Sequence, residues 1–359
     1  MKWIGRIIGL LIAGALGGGI YLTLHRESVT LVTVQGSITE LAVNAQGLLW
    51  LEGSPQGDSV SLWLLPQPQA AARRLAEGSN LHDLVLNGSE VFYFQEEGNA
   101  RGRLCRLALP AGPPETLLSD LIYPAGLWVS EAEIYWTETF PREPPVPHVP
   151  LLGSWSVLRV MSRTDNSVRT VAYLEATGTR FRGRLLGTYA GQFYWLEQRR
   201  PRPGKGISAV KRVPVGRDTP CVVALMPGLQ EALLEGERLY WTEPSTELTP
   251  ALYGAAVYVY RLDAETVSLR TDWLMAGGTL TAHEGLACYG DGIGWWQLPS
   301  RLAPARLITE VPTPGRRAQG VLYRGALYIV VRSLANEGSR IVRHPLTWRA
   351  TLRWLRRRW

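Results

Sequence analysis

Gly126–Glu138 reads GLWVSEAEIYWTE, and Glu231–Glu243 reads EALLEGERLYWTE. Each runs through small and aliphatic residues, meets a short polar turn, and resumes with an aromatic pair followed by an acid. Glu40–Glu52, Asp83–Gln95, Leu185–Glu197, Gly285–Gln297 and Gln319–Val331 carry the same pattern. Strand pairs recurring every roughly 40 to 55 residues are the mark of a propeller, because one such unit cannot bury its apolar face alone. A third strand follows most copies, for example Leu104–Leu107, Val157–Val160, Val210–Val213 and Val259–Leu262, and a fourth such as Ser167–Ala172 or Val267–Thr271.

The expected fold is therefore all-β: a seven-bladed β-propeller of four-stranded antiparallel blades, preceded by an N-terminal transmembrane helix. Leu298–Glu310 shows no clear third strand, so six full blades with a partial seventh are the alternative count. Val29–Val34 (VTLVTV) has good alternating β composition and precedes the first hairpin, which suits an outer strand that closes the ring and hides an edge.

With 46% hydrophobic residues and 14 Trp, the chain has ample apolar surface to bury. Its net charge of +7 resides at the ends: Lys2 and Arg6 before any acid, and Arg349, Arg353, Arg356, Arg357 and Arg358 in a tail without one. Residues 9–348 are then neutral overall, which removes the bulk electrostatic case for nucleic acid. Cys105, Cys221 and Cys288 lie in different repeats without C-x-x-C spacing, against a disulfide scaffold or a zinc site.

Ile7–Leu24 is uncharged over 18 residues, about 27 Å as a helix, enough to span a bilayer. Lys2 and Arg6 precede it while Arg26 is offset by Glu27, so the positive-inside bias places the N-terminus in the cytoplasm and the repeats outside it, periplasmic or extracellular. The division expected is a signal anchor over 1–26, the propeller over 27–348 and a basic tail over 349–359. A cleaved signal with Ala13-Gly14-Ala15 as its site is the competing reading, although it leaves a short apolar core. The tail segment Thr347–Trp359 interleaves Trp348, Trp354 and Trp359 with arginines, a composition suited to an anionic membrane surface or, more plainly, to a final strand with a basic end.

The aromatic pairs are Tyr135/Trp136, Tyr194/Trp195, Tyr240/Trp241 and Trp295/Trp296, with Trp50 and Phe92/Tyr93 as looser equivalents. With YWTE at Tyr135–Glu138 and Tyr240–Glu243, the chain resembles YWTD-type and related bacterial extracytoplasmic propellers over nearly all of residues 38–348. That resemblance implies a scaffold or a module that binds a protein or peptide. The usual aspartate is Glu or Gln here, so the family's contacts between blades need not transfer.

In an antiparallel hairpin the start of one strand lies beside the end of the next. One face of the ring should therefore carry an inner polar circle of Glu40, Asp83, Arg184, Glu231, Glu284 and Gln319, and an outer circle of Glu52, Gln95, Glu138, Glu197, Glu243 and Gln297. The loops between second and third strands open on that face. Thr139–Trp155 carries five prolines together with Arg142 and His148, and Gln198–Gly206 is basic through Arg199, Arg200, Arg202 and Lys205. These six cationic or imidazole side chains are the candidate partner-binding set, and a mixed-charge funnel fits a protein or peptide.

For the outer circle the simplest role is a Glu–Arg lattice with third-strand arginines (Arg106, Arg159, Arg212, Arg261, Arg343), and for the inner circle a solvent-lined channel. No cofactor is expected, yet Glu40, Asp83, Glu231 and Glu284 facing one axis are oxygen donors suited to a divalent cation such as calcium. The alternative function is accordingly a metal-dependent extracytoplasmic hydrolase, or a lyase with His82 or His283 as base. Gly290–Gly294 (GDGIG) joins strands and precedes no helix, so it reads as a turn, and no P-loop, G-x-S-x-G or H-E-x-x-H string occurs.

Overall fold

A computed structural model describes residues 28–346 apart from 111, 141–154, 178–179, 182, 200–206, 218, 228–230, 246–253, 276–277, 292–293, 301–304, 311–318 and 333–337. The anchor segment 7–24 and the tail 347–359 lie outside the described residues. Among the described residues no helix is long and apolar enough to cross a membrane.

Seven antiparallel sheets follow one another along the chain. Blade 1 is Ser37–Asn44, Gly47–Gly53, Val60–Leu65 and Arg73–Gly78. Blade 2 is Leu81–Asn87, Glu90–Gly98, Arg101–Ala108 and Glu115–Ile122, and blade 3 is Ala125–Val129, Glu133–Phe140, Trp155–Ser162 and Val168–Thr177, with Arg180–Phe181 added at its edge. Blade 4 is Gly183–Tyr189, Gln192–Arg199, Ile207–Pro214 and Cys221–Pro227, and blade 5 is Glu231–Glu235, Arg238–Ser245, Gly254–Arg261 and Thr266–Met275. Blade 6 is Thr279–His283, Leu286–Gly290, Gly294–Gln297 and Arg306–Glu310. Blade 7 takes Gly320–Tyr323, Ala326–Arg332 and Ser339–Pro345 from the C-terminal end and Val29–Val34 as its outermost strand, paired antiparallel from Val29↔Arg343 to Val34↔Ser339. The first and last described strands thus share a sheet, and the ring closes through backbone hydrogen bonds.

The core lies between blades. Each hydrophobic cluster joins two neighbours: Leu49, Leu51 and Leu62 of blade 1 meet Leu81, Val91 and Tyr93 of blade 2, and Trp50 on the other face of blade 1 meets Val330 and Ile341 of blade 7. The aromatic pairs follow from this. Successive strand residues point to opposite faces, so Tyr135 packs toward blade 4 with Phe193 and Trp195, while Trp136 packs toward blade 2 with Phe92 and Phe94. Tyr240 and Trp241 divide in the same way between blades 6 and 4. Tyr135 and Phe193 stack at 3.7 Å between centroids across the junction of blades 3 and 4. At roughly 25 cal/mol per Å2, an aromatic pair buried on both faces of a blade is a large part of what holds each sheet to its neighbours.

Blade 6 departs from the expected register. The expected hairpin Gly285–Gln297 pairs its second and third strands, Cys288↔Gln297 through Gly290↔Trp295, and the true first hairpin runs Thr279↔Gly290 to His283↔Leu286. The reason is local: Glu284 and Gly285 both have positive φ (52° and 76°), the geometry of a tight two-residue hairpin turn. They join strands where the sequence reading began one. Trp295/Trp296 consequently sit on the third strand, the GDGIG turn links second to third strand, and blade 6 has all four strands, which makes seven blades.

Candidate functional site

The candidate site is the face where first strands begin and second strands end, termed the clasp face; the opposite one, where the short turns between first and second strands lie, is the turn face. Four of the first strands are irregular: the register slips by a residue at Ile38/Glu40, His82/Val85, Ala125/Trp128 and Leu185/Gly187. A bulge frees backbone N–H groups from the ladder, and in blades 2 and 3 they face the preceding blade. Polar side chains meet them there.

Glu40 accepts from the backbone N–H of Asp83 at 2.7 Å through Oε1 and of Leu84 at 2.5 Å through Oε2, bridging blades 1 and 2. Asp83 itself has φ 55°, a left-handed conformation that Asp tolerates better than most residues. Its Oδ2 then accepts from the N–H of Gly126 at 3.0 Å, at the bulge of blade 3, where φ is 63°. Arg184 of blade 4 pairs with Glu231 of blade 5, which is only 5% exposed. Thr281 Oγ1 of blade 6 accepts from Leu322 N–H of blade 7 at 3.0 Å, and Gln319 and Arg332 of blade 7 reach the carbonyls of Thr39 and Ile38 in blade 1, the latter at 3.0 Å.

Five of the six inner-circle residues are therefore brought to one face and bonded to a neighbouring blade. Glu284 is not: it stands in the turn of blade 6, on the turn face, and His283 beside it stacks on Tyr323 at 5.0 Å. Gln297, at the end of a third strand, lies on the turn face as well, so it leaves the outer circle. Thr281 takes the place that the sequence reading gave to Glu284.

His82 contacts the circle through Nδ1, 3.0 Å from Asp83 Oδ2, with Nε2 lying 3.7 Å from Glu96. Burial would pull its pKa down, but the hydrogen bond to Asp83 and the charges of Asp83, Glu96 and Glu40 outweigh it and the net shift is upward. Burial, with the charge of Asp83 second, raises the pKa of Glu40 against the pull of its two backbone N–H donors. Glu96 was not anticipated; a second acid just past the strand core was its only trace in sequence. Among the described residues no three His, Cys, Asp or Glu side chains converge as a metal-ligand set.

In the outer circle the acid two residues beyond a Trp lies on the same strand face as the indole. Trp136 Nε1 donates to Glu138 at 3.3 Å, and Trp241 Nε1 to Glu243 at 2.9 Å. Glu138 also receives Ile122 N–H from blade 2 at 3.2 Å and Arg159 at 3.4 Å. Glu197, 1% exposed, pairs with Lys211 at 2.5 Å, and Gln95 accepts from Arg103 at 3.0 Å. The cations of this lattice are Arg103, Arg159 and Lys211. Arg106 and Arg261 instead pair with Glu90, Glu115 and Asp263, and Arg212 donates to the Cys221 thiol.

The loops between second and third strands are longest in three consecutive blades: residues 141–154, 200–206 and 246–253. Arg142, His148, Arg200, Arg202 and Lys205 lie outside the described residues; Arg199 is in the second strand of blade 4, its backbone paired with Ile207.

No family model matches the chain, and no curated protein matches it. Among solved structures it is similar to the β-propeller domain of the trilobed protease from Pyrococcus furiosus, reported with an open velcro topology (TM-score 0.61, 9% identity, 88% of this chain and 98% of that one). It is also similar to the Pyrococcus horikoshii acylaminoacyl peptidase (TM-score 0.57, 10% identity, 83% of this chain and 49% of that one). A third is a puromycin-hydrolyzing peptidase from Mycobacterium tuberculosis (TM-score 0.57, 13% identity, 88% of this chain and 52% of that one). The chain spans about half the length of the two peptidases. At these identities the likeness is one of fold, and it bears on the propeller and not on the YWTD type.

Proposed function

We propose that the chain is a membrane-anchored, extracytoplasmic β-propeller that binds a protein or peptide partner on its clasp face and performs no chemistry there. One observation carries this reading: the polar groups of the central circle are spent on neighbouring blades. Glu40 holds two backbone N–H groups and Asp83 a third, besides its histidine. A general base or a hard-cation ligand needs oxygen lone pairs turned toward substrate or ion, and both oxygens of Glu40 and Oδ2 of Asp83 are turned into the wall.

Specificity then falls to the segments that join second to third strands in blades 3, 4 and 5, with Arg142, His148, Arg199, Arg200, Arg202 and Lys205 as the contact set. Propellers found as parts of peptidases, as in the Pyrococcus furiosus protease, are consistent with a fold that presents a rim to peptide-like partners. The span 7–24 and the tail 347–359 would hold the ring near the membrane from both ends.

The test is cross-linking of the native protein in its membranes, followed by identification of the captured species, using three chains. The parent chain should capture a partner, a chain in which a short Gly-Ser linker replaces residues 141–154 should lose it, and Glu40→Gln should keep it. Retention of capture by the loop-replaced chain, or its loss in a folded Glu40→Gln chain, would sink the assignment. Extraction with carbonate checks the anchor, which predicts that the propeller stays with the membrane pellet.

A further inference from the structure

The turn face repeats one arrangement and inverts it once. In blades 2 and 3 the second strand opens on an acid that collects the cations of the groove beside it. Glu90 receives Arg106 at 3.4 Å and Arg163 from blade 3. Glu133 receives Arg169 at 3.3 Å and the hydroxyl of Tyr135 at 2.5 Å. Blade 4 opens on Gln192 and blade 5 on Arg238. Where blades 2 and 3 supply a carboxylate, blade 5 supplies a guanidinium.

Three acids stand near the three arginines of this groove: Glu237, Asp263 and Glu235, the last opposite Arg238 in the strand register with its Oε1 accepting from Gly285 N–H at 2.9 Å. Arg238 stands directly opposite Arg261 in the strand register, a pairing that repels when nothing lies between the charges. Arg270, from the fourth strand, donates to the Ser300 carbonyl of blade 6, and among the described residues no carboxylate pairs with it. Glu237 lies 3.2 Å from Arg238 on the exposed rim, where such a pair contributes little, whereas Asp263 holds Arg261 in two-point contact, at 3.1 and 2.6 Å. The three arginines and Tyr240 line a cleft of about 520 Å3, with Ala287 and Leu298 of blade 6 as part of its apolar wall. That volume lies in the range of small-molecule sites, and an apolar wall with a few convergent polar groups is their usual make-up.

We propose that the cleft between blades 5 and 6 binds an organic carboxylate with an apolar body, such as the free C-terminal residue of a peptide. The carboxylate takes the place that Glu133 fills in blade 3, between Arg238 and Arg270 and beside the Arg261–Asp263 pair, and the body lies against Ala287 and Leu298. Guanidinium groups favour this because their planar N–H pairs match a carboxylate in two-point contact. Tyr240 lines the same cleft, where its hydroxyl can donate to the ligand as that of Tyr135 donates to Glu133.

Calorimetric titration of the full chain in detergent tests the site with N-acetylphenylalanine, its amide, 3-phenylpropanoate and inorganic phosphate as probes. Expected is saturable binding of N-acetylphenylalanine, with the amide weaker by about tenfold or more. Arg238→Glu, which rebuilds the blade 3 arrangement, should remove binding without lowering the unfolding midpoint. Arg270→Gln should weaken binding about tenfold, and it carries the test should the first variant not fold. Equal affinity for 3-phenylpropanoate would place the source among free small acids, and preference for the acetylated residue would place it among peptide termini; both keep the site. Equal binding of acid and amide, unchanged binding by Arg238→Glu, or phosphate binding as tightly as the carboxylates would overturn it.

Discussion

Replacing Glu40 by alanine removes a carboxylate that holds the backbone N–H groups of Asp83 and Leu84, at 2.7 and 2.5 Å, on the bulge of the neighbouring blade. Neither amide has a strand partner to return to, because the register slips between His82 and Val85. An orphaned donor costs about 1–3 kcal/mol when water cannot reach it. Glu40 is half-buried, so channel water recovers part of that, and relief from the charge of Asp83 recovers a little more. A net loss of about 2–3 kcal/mol remains. At about 2–4 °C per kcal/mol, or somewhat less in a ring this large, the midpoint should fall by roughly 4–8 °C.

The location of the loss is as informative as its size. Native-state hydrogen exchange should quicken at Asp83 and Leu84 by about tenfold for each 1.4 kcal/mol, with smaller effects at Gly126, which the relayed Asp83 carboxylate holds. Glu40→Gln keeps one carbonyl oxygen for one of the two amides and should fall between wild type and alanine. A midpoint shift under about 1 °C with unchanged exchange at both amides would refute the clasp, because a solvated channel carboxylate is expected to cost nearly nothing on removal.

Two further outcomes follow from burial. His344 is pushed down to about 4 from 6.5 by desolvation; with the folded pKa below the unfolded one, its contribution is full above pH 6.5 and is lost as pH falls toward 4. The difference between pH 7 and pH 4.5 should be about 2 kcal/mol in urea unfolding, and His344→Gln should abolish that component; an equal acid loss in both proteins would contradict the assignment. Of the three cysteines, Cys105 and Cys288 are buried and Cys221 is exposed, so a thiol reagent should label one site in the native protein and three after denaturation, and two or more fast sites in the folded state would contradict the core packing.

The aromatic pairs made the fold legible because they report a physical requirement: a strand between two blades must offer a large side chain to each. Tyr135 and Trp136 meet it on opposite faces, and the acid two positions past the Trp follows because the same face needs an acceptor for the indole N–H. Trp195 marks the limit of that rule, since its buried indole Nε1 has no hydrogen-bond partner among the described residues while Glu197 turns to Lys211. Blade 6 misled for a related reason. Its second strand, Leu286–Gly290, satisfies the packing with Cys288 and Tyr289, so the Trp295/Trp296 letters one strand later drew the register with them. The turn held the better signal: Glu284-Gly285 matches Ala190-Gly191 and Arg324-Gly325, each a two-residue turn with φ positive at both positions.

The polar circle shows why placing a residue is easier than assigning its use. Strand spacing puts Glu40 and Asp83 at the channel whatever they do there, and a solvated carboxylate, a metal ligand and a clasp look alike in sequence. The partner that decides among them is the backbone, which has no letter of its own. What turns those N–H groups toward the acids is a bulge, and its traces are a tolerated left-handed Asp83 and the glycine at 126. The same blindness does not apply on the turn face, where the partners are side chains. There Glu90, Glu133, Gln192 and Arg238 occupy one structural position in four consecutive blades, and once the second strands are aligned the change from acid to guanidinium can be read directly. The acid at this position in blades 2 and 3 is most simply explained by the ring's own cations; in blade 5 a guanidinium stands there beside Arg270, and a carboxylate at that position is what a ligand can supply.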